Sequence, residues 1–136
     1  MIKPIMKSEF FLRLPSEDAG PDDAATGQDL LDTLHEHERE CVGLAANMIG
    51  VRKRIICVKD GNRALLMYNP QILEQVNAYQ TSEGCLSLAG ERPCTRYRRI
   101  KVEYLDENFV RRIKNFSGYT AEIIQHEIDH CQGIVI

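Results

Sequence analysis

The stretch Gln125-His126-Glu127-Ile128-Asp129-His130 holds the side chains best suited to chemistry in this chain. On a helix, positions four apart lie one turn apart on the same face, so His126 and His130 could grip one metal ion. Glu127, beside the first histidine, could act on a water held there. A metal that does chemistry takes about three protein ligands and keeps one position open. Only six residues follow His130. The first, Cys131, points about 100° away from its neighbour on a helix, so the third ligand is expected upstream.

Upstream, Cys41, Cys57, Cys85, Cys94, His35, His37 and many acids are candidates. Thiolate and imidazole both suit zinc or ferrous iron. Cys57 falls mid-strand, where a small core residue is expected. Cys94 follows Pro93 in a polar stretch. His35 and His37 sit two apart on one helix and share no face. Cys85 lies in Glu83-Gly84-Cys85-Leu86-Ser87-Leu88, where the glycine frees the backbone to aim a side chain. Residue type and spacing put Cys85 first but leave the others open.

The elements that must position these residues follow from periodicity and punctuation. Residues 1–20 read as an irregular wrap, with Phe10, Phe11, Leu12 and Leu14 packing on the body. Gly20-Pro21-Asp22-Asp23 starts a helix predicted to run to about Arg39, with Ala24, Gly27, Leu31 and Leu34 at helical spacing. Residues 41–50 are small and apolar, which suits either a buried turn or a close approach by a ligand. Strands are predicted over 54–59 and 64–69, joined at Asp60-Gly61 and stopped by Pro70, then over 72–80. A hairpin is predicted over 99–105 and 109–116. Arg92, Arg96, Arg98 and Arg99 suggest a solvated edge or ion pairs with nearby acids. Ser117 is a plausible N-cap for the last helix, which carries the two histidines into a cleft and closes at Gly133. Ile134-Val135-Ile136 is apolar enough for a short edge strand.

Composition narrows the function classes. With 136 residues and a hydrophobic fraction of 43%, a single domain over 1–136 with a real core is expected. A net charge of −3 leaves no nucleic-acid footprint. No 18-residue apolar run exists, so no membrane span is expected, and the N-terminus lacks the apolar core of a secretory signal. Five cysteines, an odd number, suit a reducing cytoplasm better than a disulfide scaffold. None of this indicates an oligomeric state.

Three motifs in order then make the chain resemble the peptide deformylases. Glu83 to Ser87 matches Glu-Gly-Cys-Leu-Ser, and Gln125 to His130 matches Gln-His-Glu-x-x-His. Cys41 to Met48 follows Gly-x-Gly-x-Ala-Ala-x-Gln with two departures. The resemblance covers most of the chain from about residue 25. It implies an α+β fold, antiparallel β-sheets packed around a central helix that carries His-Glu-x-x-His. It implies removal of the N-terminal formyl group from formyl-methionyl peptides of nascent bacterial proteins, possible substrates near the ribosome. Ferrous iron would be the usual metal, with zinc, nickel or cobalt as substitutes. Carried over by position, Cys85, His126 and His130 would bind the metal. Glu127 would handle the proton of the attacking water, and the Leu86 N–H would help hold the oxyanion. Val42, Gly43 and Gly84 would hold the peptide, with Ile123 lining the methionine pocket.

The departures bear on rate. Cys41 stands where the family has its first glycine, and Met48 where it has a glutamine that donates to the oxyanion. Methionine has no donor. Losing one such donor costs about 10²–10³ in kcat, so an attenuated deformylase is expected unless neighbouring Asn47 supplies its amide. Alternatives are a deformylase-like metal binder without catalysis and an amide hydrolase for another N-acyl group.

Overall fold

The computed structural model describes residues 1–135. Its element order is a one-turn α1 (Glu9–Leu12), α2 (Ala24–Glu36), β1 (Gly43–Ala45), β2 (Ile55–Asp60), β3 (Arg63–Glu83), β4 (Arg92–Leu105), β5 (Arg111–Ser117) and α3 (Gly118–Cys131). Short 3-10 turns over Pro21–Asp23 and Ala46–Ile49 precede α2 and follow β1. The strands form one antiparallel sheet in the order β1-β2-β3-β4-β5, with α3 packed on β1, β2, β4 and β5. The α+β architecture is as expected, with one continuous sheet instead of several.

Strand β3 joins the two parts of that sheet. Its first residues pair with β2, from Asp60↔Arg63 to Ile55↔Tyr68, and the rest pairs with β4, from Tyr68↔Leu105 to Glu83↔Arg92. The predicted stop at Pro70 does not occur: the strand runs through it. A proline cannot donate to a ladder, but it is tolerated at a bulge. The β3–β4 register shifts between Tyr68 and Gln71 and again between Ile72 and Glu74. Asn69, at φ 53, absorbs the bend, and its side chain bonds both the N–H and the C=O of Ala19.

The core lies between the sheet and the helices. Leu30 and Leu34 of α2, Ile55 to Val58 of β2, Met67, Val102 of β4 and Ile124 of α3 are all buried. At about 25 cal/mol per Å² of apolar area, each such large aliphatic contributes roughly 1.5–3 kcal/mol. Cys57 is a core residue, as expected. Helix α2 is shorter than predicted, ending at Glu36.

Three local expectations fail. Phe10 points into solvent at 79% exposure, while Leu12 on the same turn is fully buried. Ser117 makes no side-chain cap; α3 instead begins at Gly118 with φ +61, so a glycine turn replaces the capping hydroxyl. Ile134 and Val135 form no strand, and Ile136 lies outside the described residues. Gly133 does close the helix, at φ +76 and too close to the Arg13 carbonyl to admit a side chain. Of the two readings of the arginine cluster, Arg96 follows the ion-pair one: it is buried at 4% exposure and paired with Glu83 and Asp129.

Candidate active site

Helix α3 is buried along most of its length, because Ala121, Ile124 and Ile128 face the sheet. That burial carries its polar residues inward. His126, Glu127 and His130 each offer a ligand atom, and these atoms lie within 4.8 Å of one another, the one such group among the described residues. His126 and Glu127 line a cavity of about 720 Å³. Val42, Gly43, Met48, Gly84, Cys85, Leu86, Ile123, His126 and Glu127 line it, so every expected site residue but His130 borders one space. His130 is fully buried beneath. Cys85 shares the cavity, but its sulfur is not one of the 4.8 Å group.

A divalent cation fits these donors. Both ring nitrogens of His130 are buried with no partner among the described residues. Leaving buried polar atoms unbonded costs about 1–3 kcal/mol each, which a ligated ion would relieve. Burial, together with His126 and Arg96, lowers the His130 pKa to about 3, so the ring is neutral with a lone pair to give. His126 Nδ1 lies 2.8 Å from Glu83 Oε1, where the carboxylate accepts from Nδ1–H and leaves Nε2 free to ligate. The two rings stand 5.0 Å apart, edge to face.

Glu83 is in turn held. Arg96 donates Nε to both its oxygens at 3.1 Å and Nη2 to Oε1 at 2.7 Å. Arg96 Nη1 reaches Asp129 Oδ2, at 2.7 Å, on the helix beside His130. Burial would raise the Glu83 carboxyl, but the His126 and Arg96 bonds outweigh it and hold the pKa well below the usual range. A buried guanidinium thus ties the end of β3 to α3 and orients His126 through Glu83. The sequence does not reveal this. Glu83 lies two residues before Cys85 and Asp129 one before His130, but nothing among four clustered arginines marks Arg96 as the buried one.

Glu127 is buried, with Oε1 unpartnered among the described residues. Burial, opposed by His126 and reinforced by Glu83, pushes its carboxyl up to about 7. A carboxyl near neutrality can both take and return a proton. Gly43 passes directly over it: a Cβ there would sit 2.7 Å from Ile123 Cγ2 and 2.9 Å from Glu127 Oε2. Close backbone approach is therefore what the glycine of β1 provides.

The opposite side is apolar. Met48 is buried, with Sδ accepting from the Ala45 N–H at 3.5 Å. Asn47 supplies no replacement donor, because its Nδ2 turns away to the His130 carbonyl at 2.9 Å. The Val42 carbonyl accepts from the Lys59 N–H at 2.8 Å and is occupied within the sheet. Cys41 donates to the Gly43 carbonyl, and burial, together with nearby Glu127, raises its thiol to about 12.

The chain matches the family model described as polypeptide deformylase over residues 6–136. It is 52% identical to a peptide deformylase of Clostridium beijerinckii over the full length of both. The chain belongs to the polypeptide deformylase family. Among solved structures, the peptide deformylase of Thermotoga maritima superposes with a TM-score of 0.89 at 28% identity, covering 99% of this chain and 95% of that one. A Met-Ala-Ser-bound class I type b peptide deformylase of Acinetobacter baumannii gives 0.87 at 31%, covering 99% and 97%. As a member of this family the chain is a metal-dependent hydrolase that removes the formyl group from nascent peptides. The alternatives of a binder without catalysis and a hydrolase for another acyl group find no support in these likenesses.

Proposed function

We propose that the cavity above α3 hydrolyses the formyl group of formyl-methionyl peptides with Cys85, His126 and His130 as ligands of one ferrous ion. The observation that carries this reading is the buried group of His126, Glu127 and His130, with both His130 nitrogens unpartnered. Cys85 borders the same cavity and is the third ligand, the loop that carries it being free of secondary structure. Thiolate and imidazole donors suit ferrous iron, with zinc, nickel or cobalt as substitutes. The bound ion supplies an acidified water and a polarised formyl carbonyl.

The chain's own groups do the rest. Glu127 takes the proton of the attacking water and returns it to the departing amine. The Leu86 N–H donates to the developing oxyanion. Glu83 and Arg96 keep His126 in one tautomer and one orientation. Gly43, Gly84 and the Val42 N–H meet the peptide backbone, and Ile123 lines the pocket for methionine. The Met-Ala-Ser bound to the A. baumannii relative is the kind of product such a cleft would hold. A ferrous–thiolate site is open to oxidation, which a reducing cytoplasm close to translating ribosomes would limit.

Formate release from formyl-Met-Ala-Ser tests this. Protein loaded anaerobically with iron should turn over, and Cys85→Ser should lose both bound iron and turnover. Full iron occupancy in Cys85→Ser would remove the sulfur from the ligand set.

A further inference from the structure

Two bonds reach the cavity from a segment outside all three motifs. The Met6 N–H donates to the Met48 carbonyl at 2.7 Å. The next residue, Lys7, donates Nζ to the Leu86 carbonyl at 2.8 Å. Met48 belongs to the turn after β1, and Leu86 to the 84–91 loop between β3 and β4. Both line the cavity, and so does Lys7.

We infer that Lys7 is a positioning residue for the hydrolysis: residues 6 and 7 form a clasp from the Met48 turn to the Leu86 peptide that aims the Leu86 N–H into the site. The inference rests on the reading of that N–H as an oxyanion donor. Only the φ and ψ of Leu86 separate the carbonyl that Lys7 holds from the N–H in question. The loop has little else to fix those angles. It carries no regular secondary structure, Gly84 and Gly90 close its neck, and Gly90 sits at φ +83. The buried Ser87 hydroxyl next to the held carbonyl has no partner among the described residues. The base of the clasp is firmer, because Met6 is tied through backbone to the buried Met48. An ammonium bonded to a carbonyl is a charge-assisted bond, stronger than a neutral one. Met48 offers no side-chain donor, so the aim of the Leu86 N–H matters more here than where a glutamine shares the oxyanion.

The test uses Lys7→Met, which keeps the stem and removes the donor, and Lys7→Arg, which keeps a cationic donor. Lys7 is exposed, so neither change enters the core. Amide hydrogen exchange over residues 84–91 is read in metal-free and zinc-loaded protein, and kcat and KM are read on formyl-Met-Ala-Ser. Lys7→Met should exchange severalfold faster over 84–91 alone. Its kcat should fall roughly tenfold with KM nearly unchanged, as expected for a lost interaction that matters in the transition state. Lys7→Arg should restore both. Unchanged exchange in Lys7→Met, faster exchange with unchanged kcat, or an arginine variant no better than the methionine one would each overturn the clasp. A wild-type protein that releases no formate would instead remove the oxyanion reading, and the exchange result would still judge the clasp.

Discussion

The two sides of the cavity are built on different physics. The α3 side is a chain of buried charge: His126 on Glu83, Glu83 on Arg96, Arg96 on Asp129. The motif-one side is backbone and apolar surface: Gly43 pressed against Glu127, Met48 filling the space beside it, Asn47 facing the other way. Chemistry belongs to the first side and shape to the second. The difference teaches where each kind of substitution should hurt. A change on the α3 side removes a reacting group or strands a charge, and a change on the motif-one side displaces or supplements one.

The sharpest way to break that contrast is Glu127→Gln. On the proposed reading, loss of this carboxyl should lower kcat by about 10²–10⁴, with bound metal retained; kcat within a few-fold of wild type would show that another group handles the proton. Next is Arg96→Met, which leaves Glu83 and Asp129 without their buried partner. It should destabilise the fold by about 3–5 kcal/mol in denaturant melts, and a loss below 1 kcal/mol would mean that water already screens the pair. Gly43→Ala removes no ionisable group, yet its methyl would land on Glu127 and Ile123. A displacement of about 1 Å costs roughly 10² in rate, so steady-state kinetics should show a large loss in kcat, with a stability loss of about 1–3 kcal/mol from overpacking. The smallest effect is a gain: Met48→Gln should raise kcat by about tenfold, a fraction of what a well-placed oxyanion donor is worth. No gain would mean that the motif-one side needs no donor.

Much of this was legible in the sequence. His126 and His130 share a face because four residues make about one helical turn, and the apolar positions of α3 show which face is inward. The motif around Cys85 and the small residues around Gly43 border the cavity as expected. What the sequence hid are consequences of packing. Pro70 ends a strand by local rules, but a bulge lets β3 continue through it. Asn47 looked like a spare amide beside Met48, and only the structure shows that amide bracing the His130 carbonyl. Ser117 had the right chemistry for a cap, but the turn at Gly118 leaves it unused. Arg96 differs from Arg98 and Arg99 by the acids it meets, Glu83 at the end of β3 and Asp129 on α3, and Lys7 meets Leu86 across 79 positions of sequence. Such long-range pairings carry no local signal.

The most direct test of the account is one anaerobic sample measured twice, for iron per chain and for formate released from formyl-Met-Ala-Ser. The account predicts one ion per chain, with turnover that is lost when a chelator removes it and returns on reloading. Full turnover in the metal-free protein, or a stoichiometric ion with no formate released, would contradict it.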